Sequence, residues 1–110
     1  MKILICGAKD SGKTTIAKPL AKELGAEYIR CGKLYTIKDF VAEGKTVIID
    51  KRCENNRKIE KLDPDFVIWM DQTKDKIDTP YQVDYRITKR FDSVDQQVTN
   101  IVKNFKRSYR

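Results

Sequence analysis

The chain has 110 residues, a formal charge of +7 and no histidine. That length fits one compact domain, and the lack of histidine excludes Ser-His-Asp and Cys-His catalysis, imidazole bases and any zinc site that needs His. Hydrophobic residues make up 40% and charged residues 35% of the sequence, a composition that folds around a modest core.

Lys2 to Cys6 reads as a short buried strand. Thr14 to Leu24 is helical in pattern, with Ile16, Leu20 and Leu24 on one face and Gly25 as its stop. Pro19 removes the bond to the Thr15 carbonyl, which predicts a kink. Glu27 to Arg30 makes a second strand. Leu34, Ile37, Phe40 and Val41 then form a helical stripe closed by Gly44. Thr46-Val47-Ile48-Ile49 is a β-branched strand ending in Asp50, and Phe66 to Met70 is another, ending in Asp71. Between them Glu54 to Leu62 is a short helix, broken at Asp63-Pro64-Asp65. Residues 72–82 read as a polar loop and Val83 to Thr88 as a last strand. The final helix has Ser93 and Gln96 at capping-box spacing, with Val94, Val98, Ile101, Val102 and Phe105 on one face. Strands alternating with helices predict an α/β fold, a parallel sheet covered on both sides, with residues 1–110 as a single domain.

Cys6, Cys31 and Cys53 cannot all pair and show no C-x-x-C spacing, which favours a reducing, cytoplasmic setting. The run Ile3-Leu4-Ile5-Cys6 is shorter than a signal-peptide core of ~7–15 residues. No stretch approaches the ~18 apolar residues of a membrane span, so no membrane association is expected. The basic end, with Lys103, Lys106, Arg107 and Arg110, reads first as a solvated helix terminus and second as a surface for nucleic acid.

Gly7-Ala8-Lys9-Asp10-Ser11-Gly12-Lys13-Thr14 matches G-x-x-x-x-G-K-[ST], after a strand and ahead of an amphipathic helix. Glycines let the backbone approach phosphate oxygens, and successive amides with the positive helix end face the anion. Lys13 reaches the β- and γ-phosphates, the Thr14 hydroxyl ligates Mg²⁺, and Thr15, next on the helix, joins Gly7 to Thr14 as a candidate nucleotide-binding residue. A nucleoside triphosphate with Mg²⁺ is the expected ligand. Asp50 is the candidate for holding the metal or for accepting an acceptor's proton, and Asp71 is a weaker second. Arg52, Arg57, Lys74, Lys76, Arg86, Lys89 and Arg90 are the cations available to a migrating phosphoryl group.

The opening Met1 to Gly7, the loop, Thr14 to Ala21 with Pro19, Gly44 to Asp50, Asp65 to Asp71 and Asp84 to Thr88 together resemble adenylyl-sulfate kinases and their small P-loop kinase relatives. The resemblance implies a three-layer sandwich with a five-stranded parallel sheet, the loop-bearing strand central. It also implies ATP and Mg²⁺ at Gly7 to Thr14 and transfer of the γ-phosphate to a hydroxyl, so a small-molecule acceptor carrying a hydroxyl or phosphate is expected. The family has an acidic motif and a long helical stretch after its second strand. This chain has Arg30-Cys31-Gly32-Lys33 there and reads as a shortened member. A non-catalytic nucleotide-binding protein and a polynucleotide 5′-hydroxyl kinase are the alternative readings.

Overall fold

A computed structural model describes residues 1–7, 11–30, 34–53, 55–71, 80–88 and 93–108. The elements follow the expected alternation: β1 (Lys2–Gly7), α1 (Lys13–Leu24), β2 (Glu27–Arg30), α2 (Leu34–Ala42), β3 (Val47–Asp50), α3 (Asn56–Leu62), β4 (Phe66–Met70), β5 (Tyr85–Ile87) and α4 (Val94–Ser108). The five strands form one sheet in the order β2-β3-β1-β4-β5, every pair parallel. β1 is therefore central, flanked by β3 and β4.

The sheet is buried on both sides, which explains why β3 and β4 are apolar at successive positions rather than alternating. One side packs Ile3, Ile5, Ile48, Phe66 and Ile68 against Ile16 and Leu20 of α1 and Val98 and Ile101 of α4. Phe66 and Phe105 meet edge to face, with centroids 5.5 Å apart. The other side packs Leu4, Cys6, Ile49, Val67 and Trp69 against Ile37 of α2 and Ile59 and Leu62 of α3.

Several ends differ from the sequence expectation for local reasons. α1 starts one residue before the expected Thr14, at Lys13, and includes Pro19; burial of Ile16, Ala17, Leu20 and Ala21 on both sides of the proline holds the helix where one backbone bond is missing. α3 starts at Asn56 because Asn55 caps it, its side chain accepting from the Lys58 amide at 3.1 Å. Asp63 is more than a breaker: it closes α3 in the left-handed region at φ 48°. Only half of the expected capping box forms in α4. The Gln96 amide donates to Ser93 Oγ at 3.3 Å, while the Gln96 side chain turns forward to Asn100 Oδ1 at 3.2 Å.

β5 is shorter than expected because Asp84 serves a different purpose. Its carboxylate accepts from the Val67 amide at 2.8 Å, and its own amide donates to the Val67 carbonyl at 2.9 Å. Asp65 does the same to Lys2 of β1, at 2.7 Å through the carboxylate and 2.8 Å through the amide. Within the expected polar loop, residues 72–79, which include Lys74 and Lys76, lie outside the described residues. So do Lys89, Arg90 and Arg110. Among the described residues no helix is long and apolar enough to cross a membrane.

Candidate phosphate-binding site

The sequence places the site at the end of the central strand, and the backbone there is shaped for close approach. Gly7 ends β1 at φ 154°. A Cβ at this position would stand 2.8 Å from Met70 Cβ and 2.9 Å from the Met70 carbonyl oxygen, so β4 leaves room for glycine alone. Gly12 takes φ 91° at the N-cap of α1, a left-handed conformation that glycine adopts without strain. It brings no capping side chain, and the first turn of α1 contains no acid. The positive end of this twelve-residue helix is thus left for an external anion.

Three side chains gather around that helix end. Lys13 Nζ donates to the Gly7 carbonyl at 3.0 Å, turning the ammonium back toward the end of β1. Ser11 is 4% exposed, and its Oγ has no hydrogen-bond partner among the described residues. Thr14 Oγ1 donates to Asp50 Oδ2 at 2.7 Å. Ala8, Lys9 and Asp10 lie outside the described residues, and Thr15 is exposed on α1.

Asp50 is 3% exposed. A buried carboxylate needs donors, and Oδ2 has a second one that the sequence reading missed: the Tyr28 hydroxyl, at 2.7 Å. Burial first, and then the bond to Asp50, push the Tyr28 phenol above its ordinary value of 10.0. Nothing in the local sequence marks this residue. It becomes visible only once the strand order seats β2 beside β3.

The other nominated groups are distributed elsewhere. Asp71 follows β4; its amide donates to the Ile87 carbonyl at 2.8 Å, and its carboxylate lies 3.5 Å from Arg86 Nε. Arg52 and Arg57 are exposed. The Arg52 carbonyl accepts from the Gly7 amide at 3.3 Å, so the chain leaving β3 stays alongside β1. Cys6 and Cys53 are buried free thiols in one apolar cluster. Burial raises Cys6 to about 12, with nearby Cys53 adding and Lys13 opposing. It raises Cys53 to about 11 against Lys51, Lys58 and Lys13. Both are therefore protonated, weak nucleophiles near neutral pH. Cys31 lies outside the described residues.

The oxygen-rich donor set of Thr14 and Asp50 suits a hard cation such as Mg²⁺. The buried, unpartnered Ser11 hydroxyl and the uncapped helix end suit phosphate.

Known proteins resemble this chain in sequence or in fold. Residues 3–78 match the ATPase family associated with various cellular activities (AAA). A cytidylate kinase of Thermosipho africanus is 39% identical over 83 residues, 73% of this chain and 37% of that protein. The chain thus spans little more than a third of that relative's length. A sugar kinase structure from Janibacter sp. HTCC2649 superposes with a TM-score of 0.74 at 14% identity, covering 96% of this chain and 94% of that one. An APS kinase of Mycobacterium tuberculosis gives 0.65 at 16% identity, covering 96% of each chain. At such identities the two structures speak for the fold alone. The chain belongs to the ATPase family associated with various cellular activities and carries a P-loop kinase-like fold.

Proposed function

We propose that this chain is a small Mg²⁺-dependent kinase that binds ATP at Gly7 to Thr14 and passes its γ-phosphate to a hydroxyl or phosphate acceptor. The observation that carries the reading is the 2.7 Å bond from Thr14 to buried Asp50 beside an uncapped helix end. In this reading Lys13 exchanges the Gly7 carbonyl for β- and γ-phosphate oxygens, and the amides opening α1 hold the phosphate chain. Thr14 and Asp50 hold Mg²⁺, which when bound offsets the charge of the phosphates. Thr14 donates its proton to Asp50 and so keeps its oxygen lone pairs for the metal. Of the two roles open to Asp50, holding the metal is favoured over accepting a proton, because Oδ2 already takes two hydroxyl donors.

The similarity to a cytidylate kinase makes cytidylate a first acceptor to try, with adenylyl sulfate and simple sugars beside it. With γ-labelled ATP and Mg²⁺, one acceptor class should become labelled, and Lys13→Ala should abolish the product. Equal labelling by wild type and Lys13→Ala would sink the reading. A non-catalytic nucleotide binder is the second reading, favoured by exposed Arg30 ending β2 where the resemblance places an acid. It predicts Mg-ATP binding by calorimetry with no labelled product from any acceptor. Oligonucleotide binding at low salt that collapses as salt rises would instead point to the basic face of α4, which carries Lys103, Lys106 and Arg107.

A further inference from the structure

Asp50 is served by a hydroxyl from outside the phosphate-loop pattern. Tyr28 stands opposite Ile48 in the parallel pair of β2 and β3. Ile48 and Asp50 are two residues apart, so they share a face of the strand. A phenol at Tyr28 is long enough to lie along that face, and its hydroxyl donates to Asp50 Oδ2 at 2.7 Å. Thr14 donates to the same oxygen at 2.7 Å. The two hydroxyls together occupy both lone pairs of Oδ2, at a carboxylate only 3% exposed.

The tyrosine is itself held. Its ring packs half-buried against the core on the α1 side, and the Lys18 ammonium lies 5.8 Å from the ring centroid. Lys18 is four residues beyond Thr14, on the same face of α1. One helix therefore supplies both a hydroxyl to the carboxylate and a cation to the ring that supports it. Lys18, Tyr28, Asp50 and Thr14 form a chain of contacts joining α1 to the edge strand β2.

We propose that Tyr28 is a positioning residue, which holds the Asp50 carboxylate in place for a Mg²⁺-bound nucleotide and acts through the hydrogen bond to Oδ2. This rests on the Mg-ATP reading above. Without the phenol hydroxyl, Asp50 keeps one donor on Oδ2 and is free to turn. It must then be reordered as the metal arrives, and that ordering opposes metal binding.

The test is a Mg²⁺ titration of ATP binding, followed by calorimetry on wild type and Tyr28→Phe, with ATP binding in EDTA as the control. Tyr28→Phe should raise the half-saturating Mg²⁺ concentration about 3–10-fold, the ratio that one net hydrogen bond corresponds to. Binding in EDTA should stay within about twofold, because the ring and the phosphate loop are untouched. An unchanged or lowered half-saturation in a folded Tyr28→Phe protein overturns the proposal. In an Asp50→Asn background Tyr28→Phe should add nothing; a full additive shift there overturns action through Asp50. Should Tyr28→Phe fail to fold, Tyr28→Met is read in the same way: it keeps an apolar side chain without the hydroxyl, and a raised half-saturation supports the proposal while an unchanged one overturns it. Wild type that binds ATP equally with and without Mg²⁺ defeats the metal reading itself. Mg²⁺ dependence that survives intact in Tyr28→Phe defeats the role of Tyr28 alone.

Discussion

β3 and β4 flank β1 on opposite sides, and each is an apolar run followed by aspartate. Asp50, at the end of β3, is 3% exposed and receives hydroxyls from α1 and β2. Asp71, just past β4, has a side chain 42% exposed and faces an arginine 3.5 Å away on β5. The neighbours make the difference. β3 lies between β1 and β2, where the start of α1 covers the strand end, whereas β4 lies beside β5, whose Arg86 meets the acid in solvent. A hydrophobic run ending in aspartate is thus a statement about strand ends, and the strand order decides which end is buried and given hydroxyl donors.

Substitutions can break this contrast. The largest effect is expected for Asp50→Asn, which keeps the shape but removes the charge: labelled phosphoryl transfer should fall by at least ~100-fold, while Asp71→Asn stays near wild type in the same assay. Next comes Gly7→Ala, since Gly7 separates the two strand ends. Its new methyl would meet the Met70 backbone and side chain, and denaturant melts should show a loss of about 1–3 kcal/mol.

The thiols beside the site come third. Their folded values lie above the ordinary 9.0, so the folded state holds protons that the unfolded chain releases. This contribution is whole below pH 9.0 and is lost as pH rises toward about 11 for Cys53 and about 12 for Cys6. Melting temperatures followed upward from pH 8 should fall more steeply for wild type than for Cys6→Ala, and both buried thiols should resist alkylation at neutral pH. The smallest effect belongs to Asp71→Asn, within about 0.5 kcal/mol by denaturation, because a solvent-exposed pair with Arg86 is screened.

The phosphate loop was legible because it rests on fixed spacing, and the alternation of strands and helices because of the unbroken apolar runs, whereas the central place of β1 followed only from the resemblance to adenylyl-sulfate kinases. Thr14 was legible from the same spacing and Asp50 from its apolar run, although only the fold shows them bonded. Tyr28 was not. Its strand is only partly buried, with no residue of Glu27 to Arg30 in the core, and its partner is set by the register of β2 on β3. The left-handed cap at Asp63 and the forward turn of Gln96 were also hidden, because each depends on backbone geometry at a helix end rather than on residue type. The alternation of Val83 to Thr88 puts Asp84 within a strand, because alternation alone does not separate a ladder residue from one that grips its neighbour's backbone.

That grip has a consequence for how the sheet finds its alignment. A strand that is apolar on both faces can slide by one residue or two and still bury oil against oil, so hydrophobicity alone does not index β4 against β1. Asp65 and Asp84 each clasp both main-chain groups of one neighbour, Lys2 and Val67 respectively. A slid strand would leave that carboxylate without its amide. Asp65 is the zero mark of a ruler for β4 on β1 and Asp84 the one for β5 on β4, both at the end of the sheet opposite the phosphate loop, and the close fit of Gly7 against Met70 depends on the count starting from Asp65.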